Sequence, residues 1–432
     1  MRNDQRVPLR DVTERSSAAD GGATGQGFSR LAVIGLGYIG LPTAAVFADA
    51  GLEVIGVDVN PEAVASINAG EPHIVEPNLD RLLKTVVAKK TLRASLTPET
   101  ADAFIVAVPT PFKGDHEPDL KYIQSACEDI APSLRSGDLI ILESTSPVGA
   151  TEKMAAWLAE GEASDIRIAH CPERVLPGRI LVEVIENDRV VGGMTPRCAE
   201  RAAELYKMVI RGYCHLTDAR TAEMAKLTEN AFRDVNIAFA NELSLICDRL
   251  NIDVWQLIKM ANLHPRVNIL QPGPGVGGHC IAVDPWFIVD SAPDLANLIH
   301  TARKVNDGKP DWVIGKVHDA VKAHEQRPTV ACLGLAFKPN VDDLRESPAL
   351  EITKQLSQLG VGRILAVEPN IKHLPIELTA AGVVLETLET ALSEADIVVL
   401  LVDHTPFLKI DQTVLEGKAV IDTRGAWNPV TH

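Results

Sequence analysis

The residues best suited to chemistry lie in a segment rich in glycine and proline, residues 271–286, which carries Cys280 and Asp284. A thiolate can attack an electrophilic carbon, and a carboxylate four positions on can accept a proton. The four glycines and three prolines exclude a regular helix or a central strand, which predicts a shaped loop whose backbone can approach a ligand closely. Taken alone, Cys280 is better interpreted as a buried structural cysteine, because free cysteine is among the most buried residue types.

A lysine and an asparagine in a long helical pattern are the next candidates for chemistry. Residues 221–250 lack glycine and proline and carry apolar residues at helical spacing, which predicts one long helix. Lys226 and Asn230 stand four residues apart and therefore share a face of that helix. For a lysine on a helix, exposure to solvent is the ordinary interpretation. The apolar stripe beside Lys226 and Asn230 gives an inward-facing role equal support. The stripe consists of Met224, Leu227, Ala231, Val235, Ala238, Phe239, Leu243 and Ile246.

A glycine turn near the start of the chain matches the fingerprint of a dinucleotide site. Gly35, Gly37 and Gly40 have the spacing that gives a tight turn, a close approach to pyrophosphate and a close helix–strand contact. Asp58 ends the next predicted strand, 18 residues after Gly40, where a carboxylate can bond both ribose hydroxyls and repel a 2′-phosphate. This combination predicts NAD rather than NADP as the cofactor. The alternative is a glycine turn in an α/β domain that binds no nucleotide.

Further polar residues follow apolar strands in the same region, where a parallel sheet places its ligands. Four of them are expected to border the cofactor or the reacting carbon. They are Pro109, Thr110, Ser144 and Thr145. Another strand, within residues 166–171, leads to Glu173, a carboxylate expected near the pocket. His170 and Cys171 are rival catalytic candidates, but they are better interpreted as partly buried residues at the end of that strand.

Residues 328–432 repeat the plan of the first region, with apolar strands in the same order. The repeat lacks a full glycine triplet and offers Lys338 and Arg345 instead. These two cations can hold phosphates or form surface salt bridges. The predicted fold class is α/β, with two doubly wound Rossmann-like domains joined by a long central helix.

The bulk composition limits the classes of partner. The chain has 432 residues, a net charge of −16 and a pI near 5.2, so its long-range field repels nucleic acid and anionic membranes. The seven cysteines form no CxxC pair, which indicates neither a zinc site nor a disulfide framework. No apolar run reaches the roughly 18 residues of a spanning helix. We therefore expect a cytoplasmic protein with no metal, no nucleic-acid partner and no membrane partner.

Three motifs carry a family resemblance. They are Gly35-Leu-Gly-Tyr-Ile-Gly-Leu-Pro, Gly275-Val-Gly-Gly-His-Cys with Asp284, and Phe337-Lys-Pro-Asn-Val-Asp-Asp-Leu-Arg-Glu-Ser-Pro. Together they resemble the nucleotide-sugar 6-dehydrogenase family, which includes UDP-glucose, GDP-mannose and UDP-N-acetylhexosamine dehydrogenases. Residues 171–178 and 264–287 are similar to the UDP-N-acetyl-D-mannosamine branch. The UDP-glucose branch usually has a lysine immediately before the aspartate, where this chain has Val283.

The resemblance implies a four-electron oxidation of a sugar C6 alcohol to a carboxylate, with NAD as the cofactor. Cys280 is implied as the nucleophile that holds the aldehyde as a thiohemiacetal and then as a thioester, which water hydrolyses. Lys226 is implied as the cation that stabilises the oxyanions, with Asn230 assisting through a hydrogen bond.

The remaining catalytic roles are also implied by the resemblance. Asp284, together with Thr145, would position or activate a water or act as a base in the alcohol step. Glu173 matches a family glutamate implicated around the same steps. His279 is assigned no role, because neighbours in a loop need not point the same way.

The binding residues and the partner follow from the same resemblance, whereas the divisions of the chain also rest on composition and on the repeated strand pattern. Cofactor contacts are implied for Gly35, Gly37, Tyr38, Ile39, Gly40, Asp58, Pro109, Thr110, Thr145 and Arg345. Substrate contacts are implied for Arg174, Lys226, Asn230, Arg266, Asn268, Gly277 and Lys338. The partner is a UDP-sugar, and a homodimer is expected to form on the long helix, with Arg266 reaching a neighbouring subunit. The divisions are a disordered tail (1–28), an NAD-binding Rossmann domain (29–217), a central helical domain with the glycine loop (218–310) and a C-terminal Rossmann-like UDP-sugar-binding domain (311–432).

Three alternatives remain open. The substrate can be UDP-N-acetylglucosamine or UDP-glucose within the same family. A two-electron dehydrogenase of the hydroxyacid or 6-phosphogluconate type shares a Rossmann lobe and a helical spine but needs no thiol. A non-catalytic NAD-binding regulator would keep the fold, and the presence of Cys280, Lys226 and Asp284 argues against it.

Overall fold

A computed structural model describes residues 27–114, 116–176, 178–278 and 280–427. Nearly all of the predicted tail (residues 1–28) and His279 lie outside the described residues. The first lobe (residues 29–217) contains an eight-stranded sheet in the order β10-β9-β8-β7-β4-β1-β2-β3 and a small hairpin, β5–β6. The strands β1 to β10 are Arg30–Ile34, Glu53–Val57, Leu92–Ser95, Ala103–Val106, Phe112–Lys113, Glu117–Pro118, Leu139–Leu142, Arg167–His170, Arg189–Gly193 and Cys214–Asp218.

The sheet of the first lobe is doubly wound, as the sequence predicts. Six of its strands, in the spatial order β8-β7-β4-β1-β2-β3, match the dinucleotide-binding fold and all run parallel. The sheet continues past β8, where β9 runs antiparallel to β8, so it is mixed rather than purely parallel. Strands β4 and β7 are buried along their whole length, because helices cover both faces. Helices α1 to α7 are Gly40–Asp49, Pro61–Asn68, Leu79–Ala88, Lys121–Ile130, Ala150–Leu158, Ile180–Glu186 and Pro196–Tyr206.

The central segment (residues 218–310) is organised by the predicted long helix. Helix α8 spans Ala219–Leu250, about 48 Å at 1.5 Å per residue. Asp218 caps its first turn by accepting a hydrogen bond from the Thr221 N–H, and Asn251 ends it in the left-handed conformation. Helices α9 to α11 are Val254–Ala261, Asp284–Ser291 and Asn297–Asp307, and α12 (Lys309–Lys322) begins at the end of this segment and packs in the core of the second lobe.

The buried face of α8 differs from the apolar stripe in the sequence. Met224, Phe239 and Ile246 are exposed, so the helical period is correct but much of the stripe faces outward. The side chains that α8 buries are mostly small or polar. The buried polar ones are Glu223, Asn230, Asp234, Asn241 and Ser244. A buried polar group needs a hydrogen-bond partner, so this stripe must serve neighbouring elements of the chain.

The second lobe (residues 311–427) repeats the plan of the first, as predicted. Its five parallel strands have the order β13-β12-β11-β14-β15. Strands β11 to β15 are Thr329–Leu333, Arg363–Val367, Val384–Leu385, Ile397–Leu400 and Ala419–Asp422. Helices α13 to α15 are Pro348–Gln358, Ile376–Ala380 and Leu388–Glu394. In the described part of the chain, no helix combines the length and the hydropathy needed to cross a membrane.

Candidate active site

The glycine loop and helix α8 meet at a buried carboxylate. Asp284 is the first residue of α10 and is 3% exposed. The side-chain amide of Asn230 donates a hydrogen bond of 2.5 Å to Asp284 Oδ2. Burial raises the pKa of Asp284 to about 6, against the opposing effects of the Asn230 hydrogen bond and the Lys226 charge. Asp284 is therefore ionised at neutral pH but close enough to its pKa to exchange a proton.

The thiol lies in the field of this carboxylate and of three cations. Cys280 is exposed, whereas the other six cysteines are buried or half-buried. Partial desolvation and Asp284 raise the pKa of its thiol, while Lys226, Arg345 and Arg233 act in the opposite direction. The exposed thiol does not fit the alternative interpretation of Cys280 as a buried structural cysteine. An exposed thiol beside a proton acceptor and several cations suits nucleophilic chemistry.

A cavity of about 430 Å³ lies along α8 and borders the site. It brings together Arg174, Lys226 and Asn230, three of the predicted site residues. It also includes Arg233 and Glu229, which the sequence reasoning missed, and Glu229 pairs with Arg174 at 2.6 Å. Arg233 follows Lys226 by seven residues and so shares its helix face, a spacing that would have revealed it.

The glycine loop is pressed against the second lobe. A side chain at Gly277 would meet the Glu346 carbonyl oxygen at 2.2 Å, and one at Gly278 would meet the Phe337 ring at 3.0 Å. Gly278 also has a φ of +83°, which favours glycine. The close approach that these glycines permit is thus made, at least in part, to the protein's own second lobe.

The glycine turn and Asp58 form a site with the features that NAD requires. A side chain at Gly40 would collide with the Gly35 carbonyl oxygen, whereas no atom of the described residues lies within 4 Å of the equivalent position at Gly37. Asp58 is half-buried, and its Oδ2 accepts a hydrogen bond of 2.9 Å from the Leu36 N–H. The turn therefore has open space at Gly37 and a carboxylate bound to its backbone, the arrangement typical of a dinucleotide site, and Tyr38 in the same turn is exposed.

The strand-end residues of the first lobe also converge. The Thr110 hydroxyl donates to the Thr145 carbonyl oxygen at 2.7 Å, and the Ser144 hydroxyl donates to the Val108 carbonyl oxygen at 2.7 Å. These bonds hold the loops after β4 and β7 together, with Pro109 exposed between them. The loops are thus fixed at the carboxyl edge of the sheet, as predicted for a parallel arrangement.

Glu173 belongs to a buried ionic cluster that the sequence did not reveal. Arg189 on β9 donates to Glu173 Oε2 at 2.8 Å and pairs with Glu143 at 3.2 Å. Burial raises the pKa of Glu143 to about 7, and the Tyr206 hydroxyl donates to its carboxylate at 3.1 Å. The cluster depends on β9, whose antiparallel insertion beside β8 has no local signal in the sequence.

The rival candidates next to this cluster are sealed from solvent. His170 and Cys171 are both fully buried. Burial lowers the pKa of His170 to about 3 and raises the pKa of Cys171 to about 12. Neither group is charged near neutral pH, which agrees with the structural interpretation.

The predicted cations outside α8 are distributed between two places. The Arg345 guanidinium lies 5.4 Å from the Tyr38 ring centroid and also influences Cys280, so it stands where the two lobes meet the thiol. Lys338 lies 5.5 Å from the Phe337 ring. Arg266 and Asn268 are exposed after α9 and do not line the cavity along α8.

Family models match most of the chain in three consecutive parts. They are the NAD binding domain (residues 29–210), the central domain (220–308) and the UDP binding domain (331–429) of the UDP-glucose/GDP-mannose dehydrogenase family. The chain belongs to the UDP-glucose/GDP-mannose dehydrogenase family. The glycine turn with Asp58 lies in the NAD-binding domain, so the cofactor of this family member is NAD.

Several relatives within the family cover almost the whole chain. An NDP-N-acetyl-D-galactosaminuronic acid dehydrogenase from Ralstonia solanacearum is 60% identical over 412 residues, 93% of this chain and 97% of that protein. A UDP-N-acetyl-D-mannosamine dehydrogenase from Yersinia pestis is 59% identical over 418 residues, 93% of this chain and 99% of that protein. A solved UDP-D-ManNAc dehydrogenase from Pyrococcus horikoshii has a TM-score of 0.84 and 38% identity, covering 92% of this chain and 96% of its own.

Proposed function

We propose that this family member oxidises UDP-N-acetyl-D-mannosamine at C6 to the uronate, with two NAD⁺ reduced per sugar. The observation that carries the proposal is the Asn230–Asp284 hydrogen bond, since it joins the lysine-bearing helix to the loop of the exposed Cys280. The relative from Yersinia pestis and the solved structure from Pyrococcus horikoshii are named for this sugar. Val283 stands where UDP-glucose enzymes usually carry lysine, which disfavours UDP-glucose.

The proposed chemistry begins with proton removal from the C6 hydroxyl by Asp284 or a water that it binds. NAD⁺, held at the glycine turn and Asp58, would supply the hydride acceptor for each of the two oxidations at C6. The Cys280 thiolate adds to the aldehyde carbon and forms a thiohemiacetal, which becomes a thioester when the second hydride leaves. Water then displaces the thiolate and supplies the second carboxylate oxygen. One alcohol, two NAD⁺ and one water give one carboxylate, two NADH and three protons.

Lys226 and Asn230 are suited to stabilise the oxyanions of these steps. The Lys226 ammonium has no ion-pair partner among the described residues, so its charge is available to a substrate oxygen. Thr145 is proposed to position the water together with Asp284. Arg189 already binds the Glu173 carboxylate. Glu173 is therefore proposed to act on the reaction indirectly, through the position of the loop that carries it.

The substrate is proposed to lie along α8 with its diphosphate toward the second lobe. Arg174 and Lys226 line the cavity, Gly277 offers backbone, and Lys338 and Arg345 supply positive charge from the second lobe. The division into an NAD-binding first lobe, a central segment and a UDP-sugar-binding second lobe is part of this proposal. The enzyme is proposed to act in the cytoplasm and to supply a uronic acid for a surface polysaccharide.

A homodimer is proposed to form on the outward face of α8. Phe232 is 68% exposed, and Phe239 is 55% exposed, an unusual amount of aromatic surface for a helix in water. Arg266 is also exposed, and we propose that it reaches the sugar of the neighbouring subunit. Arg266→Ala should lose activity while NAD still binds, and fully retained activity would refute this role.

The function is tested by counting NADH per sugar with a panel of UDP-hexoses. We expect two NADH per sugar and the highest kcat/KM with UDP-N-acetyl-D-mannosamine. A single NADH per sugar would refute the thioester scheme and favour a two-electron dehydrogenase. The second candidate is a galacto-configured N-acetylhexosamine, favoured by the relative from Ralstonia solanacearum. A higher kcat/KM with UDP-N-acetyl-D-galactosamine would replace the manno assignment with this one.

A further inference from the structure

The polar stripe that α8 buries continues well beyond the catalytic pair. Lys226 and Asn230 occupy its first half, and Asp234, Asn241 and Ser244 follow at intervals of three, four or seven residues. Asp234 and Asn241 are both fully buried. Residues with this spacing share one face of a helix, so the face that carries the chemistry also carries a second set of polar groups. Proton transfer or oxyanion stabilisation in the proposed reaction does not require this second set.

Both polar atoms of the Asn241 side chain form hydrogen bonds with specific partners. Its Oδ1 accepts a hydrogen bond of 2.9 Å from the Gly273 N–H, at the beginning of the glycine loop. Its Nδ2 donates to Asn306 Oδ1 at 2.8 Å. Because Asn306 in turn donates to Asp234 at 2.8 Å, and Arg303 donates to the same carboxylate at 2.6 Å, each amide has only one orientation that satisfies its neighbours.

The glycine loop is therefore attached to α8 at both ends. Asn241 holds Gly273 at its beginning, and Asn230 holds Asp284 at its end. The two asparagines are 11 residues apart, about 16 Å along the helix axis. Cys280 lies between the two attachment points. Arg303 adds a longer contact of 3.5 Å to the carbonyl oxygen of Ile281, the residue after the thiol.

We propose that Asn241 is a positioning residue, which sets the place of the Cys280 thiol against the substrate by anchoring the start of the glycine loop. The inference rests on the proposed function, since it concerns the thiol of that reaction. A glycine-rich loop has little intrinsic order, so its geometry must come from its anchors. A displacement of about 1 Å at a reacting atom costs on the order of 100-fold in rate.

The Gly273 N–H donates to Asn241 Oδ1. The test compares variants that remove this acceptor oxygen with variants that leave it in place. Asn241→Leu and Asn241→Ala both remove the acceptor, and the alanine variant also leaves space for a water if the leucine variant folds poorly. Asn306→Ala keeps the acceptor but frees the Asn241 amide to rotate. Asn297→Ala is the control, because Asn297 is an exposed residue of α11, the helix that carries Asn306, and its side-chain amide donates to the Asp294 carbonyl oxygen.

Four quantities are measured on the folded, full-length enzyme with NAD and the UDP-sugar. They are kcat, the dissociation constant for NAD, the melting temperature and the rate at which iodoacetamide alkylates the Cys280 peptide. We expect both Asn241 variants to lower kcat by about 30-fold or more and to change the alkylation rate several-fold, with NAD affinity within about twofold of wild type. Asn306→Ala should give a smaller loss, and the double variant Asn241→Ala/Asn306→Ala should lose no more than Asn241→Ala alone.

Two outcomes would overturn the inference. If the folded Asn241 variants keep kcat within about threefold of wild type, the anchor does not place the thiol. If kcat falls only in proportion to the folded fraction and the alkylation rate is unchanged, Asn241 serves stability alone. If wild-type enzyme oxidises no UDP-sugar, the proposed function fails, and the alkylation rate by itself then decides whether Asn241 positions the loop.

Discussion

The two lobes begin with the same strand, turn and strand, but the carboxylate that follows is half-buried in the first lobe and fully enclosed in the second. In both, the glycine after the first strand donates its N–H to the last carbonyl of the second strand, at 2.8 Å. Asp58 follows that strand in the first lobe and is half-buried, with its carboxylate bound to the Leu36 N–H. Glu368 follows it in the second lobe and is 4% exposed. Its Oε2 accepts from the Leu335 N–H at 2.8 Å.

A histidine accounts for this difference. His404 stands four residues after the end of β14, the position that Thr110 occupies after β4. Its ring is fully buried and lies 2.9 Å from the Glu368 carboxylate. Burial alone would raise the pKa of Glu368, but the hydrogen bonds from His404 and from backbone N–H groups outweigh it and lower the pKa.

The two lobes thus share one strand–turn–strand arrangement but differ in the exposure of the carboxylate that follows it. The first lobe leaves its strand-end carboxylate, Asp58, partly exposed, whereas the second lobe buries the corresponding carboxylate, Glu368. The second lobe also carries Lys338 and Arg345, and the charge of Arg345 acts on the Cys280 thiol. In the proposed reaction, Cys280 would therefore act between the cofactor edge of the first lobe and the cationic edge of the second.

The largest predicted effect comes from removing the thiol that both edges serve. Cys280→Ser should lower kcat for the complete oxidation by at least about 10³-fold, since a serine hydroxyl is a far weaker nucleophile and the groups of such a site act as a unit. The measurement is NADH release with UDP-N-acetyl-D-mannosamine. Cys247→Ser, a buried cysteine far along α8, is the control. Full activity of the Cys280 variant would show that the lobes converge on some other group.

The next prediction tests the comparison directly by changing the matched carboxylates. Asp58→Ala should raise the KM for NAD about 10- to 150-fold, because charge-assisted hydrogen bonds to the ribose are lost. Glu368→Gln should leave the KM for NAD unchanged and lower the melting temperature by several degrees, because a buried hydrogen-bonded charge is removed. Steady-state kinetics and calorimetry separate the two results. The comparison is wrong if Glu368→Gln weakens NAD binding as much as Asp58→Ala does.

The difference between Asp58 and Glu368 also shows which features of the fold can be predicted from the sequence. Gly35, Gly40 and Asp58 are found from local spacing, because a phosphate-binding turn needs particular residues within one strand–turn–helix unit. The repeat in residues 328–432 is found in the same way. The sealing of Glu368 by His404 is not, since it joins residues 36 positions apart whose pairing only the fold determines.

The site itself divides along the same line. Lys226 and Asn230 are predictable as partners because four residues separate them on one helix. The sequence does not show which part of the apolar stripe of α8 faces the core, since apolar residues that cover a second surface look the same in sequence as residues that face the core. The Glu143–Arg189–Glu173 cluster was missed because β9 enters the sheet antiparallel to its neighbour.

A smaller effect is expected from pH, and it probes the carboxylate between the lobes. The pKa of Asp284 is raised to about 6 by burial, and only the ionised form accepts a proton. The kcat/KM should therefore fall about tenfold per unit as pH decreases below 6. Asp284→Asn should remove this inflection, whereas Asp290→Asn, an exposed residue on the same helix, should keep it. An inflection that persists in Asp284→Asn would assign the base to another group.

The smallest effect is expected where the two edges touch. The Arg345 guanidinium lies 5.4 Å from the Tyr38 ring and is also held by Asp343 through two hydrogen bonds. A partly exposed cation–π contact contributes about 0.5–1 kcal/mol, so Tyr38→Leu should raise the KM for NAD only about two- to fivefold through this contact. Arg345→Met should act on the thiol as well, because its charge lowers the pKa of Cys280. The alkylation rate of Cys280 near neutral pH should therefore fall in Arg345→Met and stay constant in Tyr38→Leu. Equal alkylation rates in both variants would mean that the cationic edge of the second lobe does not reach the thiol.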